Sequence, residues 1–372
     1  MLIAIPMATV SASEATPPAD HVLVLSESIA VQVHADGSSV EDRTEMLKAL
    51  DAVGARELRA YRIPYQAQRQ SVSVVDGSAV TGDAPAADVR PSDIVDQVLP
   101  AATGAPAYLD ARQVTVQFRD VSVGTVVRVH VRRVTRQPFL PGIFSAFDVL
   151  PRTRPIQEFS YQLTAPGSMR LQVEAGGVKG GMTHDGDIDH WSFIAAKLPA
   201  LYNVATTSAL IAKSPYVVVS GAANDAQLAK AYVMRTRAPQ HISLELQQLA
   251  DSIGADSIDP DTLVRRYYAW INDHVRLVDL PLQMGQTKPR AAQDIVLSGY
   301  GTAEDRVIVL QALMGAKDLG ADIALVPSMP VTWNLRIAAN TSFYDRVLLI
   351  AGSGRQVLDI GEPVLELGEY GP

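Results

Sequence analysis

The segment "GYGTAEDRVIVLQALMGAKDLGADIALV", Gly299 to Val326, reads as a turn, an amphipathic helix, a glycine stop and a buried strand. Val307, Leu310, Leu313 and Met314 form the apolar stripe of that helix, and Ala303 lies four residues before Val307, on the inward face of the first turn. A cysteine in that place would feel the positive helix N-terminus, which lowers a thiol pKa and favours the thiolate. A histidine on a following strand, oriented by a carboxylate on the next, would complete a thiol-protease-like triad. The chain has no cysteine, and the residue in that place is alanine.

Other chemistry-bearing residues are sparse. "THDGDIDHW" (Thr183–Trp191) crowds His184, Asp185, Asp187, Asp189 and His190, and alternate acids can offer oxygen ligands. Asp185-Gly186-Asp187 is equally a hairpin turn signal, and the spacing lacks the glycine and closing glutamate of a calcium loop. The pattern is read as a turn, and no metal or cofactor is expected. The seven histidines form no HExxH-like motif, and GxSxG is absent. His274 lies near the apolar face of its helix and is expected in the core or at its boundary.

The 372 residues are long enough for two domains, and 47% hydrophobic content can build ordinary cores. A net charge of -8 argues against a nucleic-acid binder. The one basic stretch, "VRVHVRRVTR" (Val127–Arg136), mostly alternates with valines and reads as the solvated face of a strand. Leu2 to Val10 is a short apolar run, and Val10-Ser11-Ala12 resembles a small-residue cleavage site, so residues 1–20 read as a partial signal peptide or tail. The run is too short to span a bilayer, no other segment is a membrane-span candidate, and a periplasmic or otherwise exported protein is expected. The absence of cysteine fits export without requiring it.

Residues 21–224 are mostly strand-like. Alternating runs are punctuated by turn signals at Ala35-Asp36-Gly37 and Asp76-Gly77, and a short helix is expected near Ser92–Leu99. The pattern predicts an antiparallel β-sandwich. In residues 225–372 the period changes to 3.6. Helices are expected at "SLELQQLADSI", at "DPDTLVRRYYAWINDHV" with Asp259 as N-cap and Pro260 at the first position, at "KPRAAQDIVLSG" closed by Gly299, and at the Ala303 helix. Strands "ADIALVP", "DRVLLIAG" and "RQVLDIG" follow, giving an α+β pattern.

Against this background, "PRAAQDIVLSGYGTAEDRV" (Pro289–Val307) resembles the stretch "PRPAAEVLANRYGDCKDKA" of exported bacterial members of the transglutaminase-like superfamily. Pro289, Arg290, Ala292, Tyr300, Gly301 and Asp305 match, and Arg306 replaces a lysine. The family cysteine falls on Ala303, its preceding Asp on Thr302 and the following Lys on Glu304. "FYDRV" aligns with the family's histidine strand and puts Arg346 in the histidine position; "VLDIG" aligns with "WLDPT", so Asp359 keeps the third position. "GARELRAYRIPY", "AYLDARQVTVQFRDVSVGTVVRVHV" and "PFLPGIFSAFDVLPRTRPIQEFSYQLTAP" look like the sandwich domain of unknown function that commonly precedes such domains. The resemblance covers roughly residues 20 to 372. Family members often continue past the point where this chain stops, which suggests a truncated chain or a lost C-terminal module.

The resemblance thus implies a multidomain protein, an N-terminal antiparallel β-sandwich followed by a degenerate transglutaminase-like (papain-like) α+β domain. Alanine offers no nucleophile. Arginine stays protonated and has no acceptor, so Arg346 cannot be a general base, and Asp359 would pair with it instead. A register slip of one would put Asp345 in the histidine position, with nothing to activate. The expected function is non-catalytic: binding a peptide, an amide-bearing polymer or a partner protein of the envelope, with Tyr300, Thr302, Asp305 and Trp333 as the candidate ligand surface. The alternative is a hydrolase or transferase with a relocated, non-cysteine site, using Asp305, Asp345 or the Asp185–His190 cluster.

Overall fold

The structure, a computed structural model, describes residues 20–202, 204, 209–210, 213–237, 241–327, 340–351 and 356–361. The apolar run Leu2–Val10 and Trp333 lie outside these residues. The chain opens with strands β1 (Val22–Val33) and β2 (Ser39–Ala49), joined at Asp36-Gly37 with Gly37 at φ +83°. A side chain at Gly37 would also press on Pro138, with Cγ 3.1 Å from the added Cβ, so glycine fits on two counts. The short helix α1 (Ala52–Glu57) starts at Asp51, whose carboxylate accepts from the Val53 and Gly54 N–H groups.

Then come β3 (Ala60–Gln66), β4 (Gln70–Val80), β5 (Ala87–Asp88), β6 (Ile94–Val98), β7 (Ala111–Gln117), β8 (Val126–Thr135) and β9 (Ser145–Val149). They are followed by β10 (Ile156–Pro166), β11 (Gln172–Gly176), β12 (Lys179–Asp185), β13 (Ile188–Leu198) and β14 (Tyr216–Ser220). One sheet has eight strands in the order β12-β13-β10-β1-β2-β8-β4-β5, and two small sheets run β3-β7-β6 and β11-β14-β9. Alternate residues of the large sheet, such as Ile29, Val31, Val129 and Tyr161, share one core with Ile63 and Val116 of the first small sheet and Val217 and Val219 of the second. The N-terminal half is therefore β-rich and layered.

Three sequence expectations need correcting here. The large sheet is mixed rather than antiparallel, because β1 pairs with β10 in parallel, Val31 beside Leu163. The long crossover between them makes that direction available, whereas a hairpin would not. Asp76-Gly77 is no turn: β4 runs through it, with a bulge at Val75 that keeps both flanks in register with β8. Nor is Ser92–Leu99 helical. A single 3₁₀ turn at Pro91–Asp93 leads into β6, whose Asp96 accepts a hydrogen bond from Tyr65.

The remainder carries α2 (Asp225–Thr236), α3 (Leu244–Gly254), α4 (Pro260–His274), β15 (Arg276–Leu277), α5 (Ala292–Ser298), β16 (Tyr300–Gly301), α6 (Ala303–Gly315), β17 (Ala321–Val326), β18 (Arg346–Ala351) and β19 (Gln356–Leu358). Asp259 caps α4 by accepting from Thr262 N–H, with Pro260 in the first turn, and Gly299 ends α5 in the left-handed conformation. Helix α6 is buried on all sides rather than on one stripe: Ile308 and Val309 are as inaccessible as Val307 and Leu310. It packs against α3, α4, α5 and the sheet β17-β18-β19. Each such side chain contributes about 1.5–3 kcal/mol, so α6 is the axis of this half. His274 is exposed rather than in the core; its ring stacks on Trp270 with centroids 4.5 Å apart.

Candidate functional site

Thr302 caps α6, its hydroxyl accepting from Asp305 N–H, and Ala303 follows as the first helical residue. Beside it lies the end of β19. A Cβ built on Gly361 would sit 3.1 Å from the Ala303 Cβ and 3.3 Å from Asp359 Oδ1, so positions 303 and 359 adjoin. The Asp359 side chain is fully buried and accepts from the Arg346 guanidinium and, at 3.1 Å, from Gly361 N–H. Strand β18 thus points Arg346, not Asp345, at Asp359. Tyr268 closes the corner by donating to the Asp359 carbonyl oxygen at 2.9 Å. Ala303, Arg346 and Asp359 share one corner that contains a methyl group and an ion pair.

Tyr300, Thr302 and Asp305 do not line an open groove with it. They belong to a seam with the N-terminal half. Tyr108 donates its hydroxyl to Asp305 Oδ2 and accepts from Thr302 N–H at 3.1 Å, while the Tyr300 hydroxyl accepts from Ala107 N–H at 3.1 Å. Arg290 lies 3.5 Å from Asp305 Oδ2, donates to the Tyr300 carbonyl at 2.9 Å and stands over the Tyr300 ring at 5.0 Å. Thr302 and Asp305 are buried there. Burial pushes the Asp305 carboxyl up to about 6, against the pull of the Tyr108 hydrogen bond and Arg290. Trp333, the fourth residue of that set, is outside the described residues.

Glu304 is turned a third way. Its carboxylate accepts from the Tyr232 hydroxyl at 2.8 Å and Arg235 at 3.0 Å, and burial raises its pKa. The Arg235 guanidinium lies over the Phe139 ring at 4.5 Å, and Arg69 lies over the same ring at 5.6 Å.

The His184–Asp189 pair, at 2.6 Å, sits on the exposed hairpin of β12 and β13. Among the described residues no group of three or more His, Asp or Glu is arranged to hold a metal.

A charged cluster that the sequence reading does not single out lies inside the N-terminal half. Arg43 on β2 donates to Glu27 and Asp148 at 2.6 Å each and to Glu41 at 3.0 Å. Burial alone would lower the Arg43 pKa, but Asp148, Glu41 and Glu27 outweigh it and hold it well above the ordinary value. Burial, and next Glu45, push the Glu27 carboxyl up to about 8. Tyr61 donates to Glu45. The signal was available in "SVEDRTEMLKA", where Glu41, Arg43 and Glu45 share the period-two face of Leu47 and Ala49, the face toward the core.

Comparison with known proteins agrees with the β-rich half. Residues 35–202 match the family model described as Domain of Unknown Function with solved-structure structure (DUF3857). No curated protein matches the sequence. The fold is similar to that of a solved protein from Parabacteroides distasonis ATCC 8503 titled a "putative protease", with a TM-score of 0.79 and 18% identity over 91% of this chain and 67% of that one. An M1 zinc metallopeptidase from Deinococcus radiodurans matches at 13% identity over 55% of this chain and 44% of that one, with a TM-score of 0.27 that carries no argument. At 18% identity the likeness to the Parabacteroides protein is one of fold alone, and it extends across both halves of the chain.

Proposed function

We propose that this chain is a non-catalytic, exported binding or scaffold protein on a degenerate transglutaminase-like fold, holding a peptide, an amide-bearing polymer or a partner protein. The observation that carries the reading is the corner at the entry of α6. Ala303 presents a methyl group where a nucleophile would stand, and the adjoining Asp359 is bound to Arg346, which can donate but never accept a proton. Without a nucleophile and a base, covalent acyl transfer has no first step there. The other acids of the helix entry, Glu304 and Asp305, are enclosed by Tyr232 and Arg235 on one side and Tyr108 and Arg290 on the other.

The test is amine incorporation and amide hydrolysis by the purified chain on glutamine-bearing peptides, read by mass spectrometry with and without divalent metals. The expected result is product no greater than with heat-killed protein. Turnover above that control refutes the reading and points to another nucleophile.

A further inference from the structure

A cavity of about 380 Å³ opens between the inner face of the large sheet, strands β3 and β9, and the C-terminal half at Gln283 and Thr341. Arg43, Arg62, Arg69 and Arg133 line it, against only two carboxylates, Glu41 and Asp148. A net-positive cavity in a chain of net charge -8 is a local departure from composition. Both carboxylates, with Glu27 behind them, are held by Arg43. Among the described residues the other three arginines are left without a carboxylate of their own.

The Arg62 and Arg133 side chains make no hydrogen bond or ion pair among the described residues. Arg133 stands on the inward, valine-bearing face of β8, one position beyond Val131, where alternation calls for an apolar residue. Arg69 is only 3% exposed; its guanidinium donates to the Gln283 carbonyl, and its Nε has no partner among the described residues. Burial, and then repulsion from Arg235, push the Arg69 pKa down to about 10. The nearby Glu304 is already bound by Tyr232 and Arg235. A buried guanidinium short of a counter-charge is destabilising, and one well-placed anion would relieve it.

The remaining wall suits an organic body. Phe139, Phe144 and Phe147 contribute rings, and Ser39 and Thr135 contribute hydroxyls. We propose that this cavity binds a small organic carboxylate, its carboxyl group met by Arg62, Arg69 and Arg133 and its apolar body against the phenylalanine rings. Glu41 and Asp148 on the same wall repel a doubly charged phosphate more than a single carboxylate. Whether the Ala303 corner is inactive has no bearing on this site, since the two share no residue.

The test is calorimetric titration of the full chain with phenylacetate and, separately, with inorganic phosphate at low salt. Saturable phenylacetate binding is expected, tighter than phosphate, and weakened at least tenfold by Arg133→Ala and by Arg62→Ala. Both replaced side chains are unpaired among the described residues, so the thermal midpoint should stay within a few degrees of the parent. Arg69→Met should abolish binding while raising the midpoint in the absence of ligand. Absence of saturable heat, binding unmoved in both alanine variants, or phosphate bound more tightly than phenylacetate would each overturn the assignment.

Discussion

Asp305 provides a sharp test of how the seam between the two halves is held. Its carboxyl is buried in the first turn of α6, bonded by Tyr108 and faced by Arg290, and its pKa is pushed from 3.8 up to about 6, chiefly by burial. The sign follows from linkage: the folded state holds this proton over a range in which the unfolded chain has released it. The associated stability is fully present below about pH 4 and is lost as pH rises through about 6. At about 1.4 kcal/mol for each tenfold change in proton affinity, the displacement corresponds to about 3 kcal/mol. Asp305→Asn keeps a carbonyl to accept from Tyr108 and cannot ionise. Its stability relative to the parent should therefore climb by about 2.4 kcal/mol between pH 4 and pH 7, since the unfolded carboxyl is already more than half ionised at pH 4, whatever constant offset the lost Arg290 contact adds. Urea unfolding of both proteins at pH 4, 5, 6 and 7 measures this difference, and titrations common to both, such as that of Glu27, largely cancel. A difference that stays flat across the series, or that falls with rising pH, would falsify the claim that Asp305 is an uneasily buried acid.

Two further substitutions address the same region. Arg346→Ala strips the fully buried Asp359 of its cation and leaves Gly361 N–H as its one remaining described hydrogen-bond donor; a loss of about 3–5 kcal/mol is expected at neutral pH, read from the urea midpoint. Tyr108→Phe removes the donor to Asp305 and the acceptor for Thr302 N–H together, for a loss of about 1–3 kcal/mol in the same assay.

What could be read from the sequence was whatever is set locally. Asp259 with Pro260 and Gly299 mark helix ends because capping and left-handed backbone are properties of a few adjacent residues. The Arg346–Asp359 pair was reached through the family resemblance, which sets those two positions side by side, and not from local sequence. What escaped is set by residues far apart in the chain. Parallel pairing of β1 with β10 follows from a crossover of more than a hundred residues, and nothing within either strand specifies it. Tyr108 sits in an unremarkable 3₁₀ turn, yet its hydroxyl serves two groups nearly two hundred residues away. The inward charges of β2 were visible as a period-two set, but which face turns inward depends on the partner sheets.

The entry of α6 shows what these long-range contacts build. A thiol is activated at a helix N-terminus when the positive end of the helix is the dominant local charge. Here Glu304 and Asp305 occupy the first turn directly after Ala303, and both are buried. Their negative charge suits the helix end, and each is countered by an arginine, Arg235 for Glu304 and Arg290 for Asp305. Each is also committed elsewhere: Glu304 to Tyr232 and Arg235, Asp305 to Tyr108 and Arg290, while Thr302 N–H is bonded to Tyr108. Thr302, Glu304 and Asp305, the positions flanking Ala303, therefore anchor the helix entry to the surrounding helices and to the N-terminal half. On the function proposed above, Ala303→Cys alone is expected to give no turnover in the amine-incorporation assay, because the adjoining Asp359 stays bound to Arg346; turnover by that variant would refute the proposal.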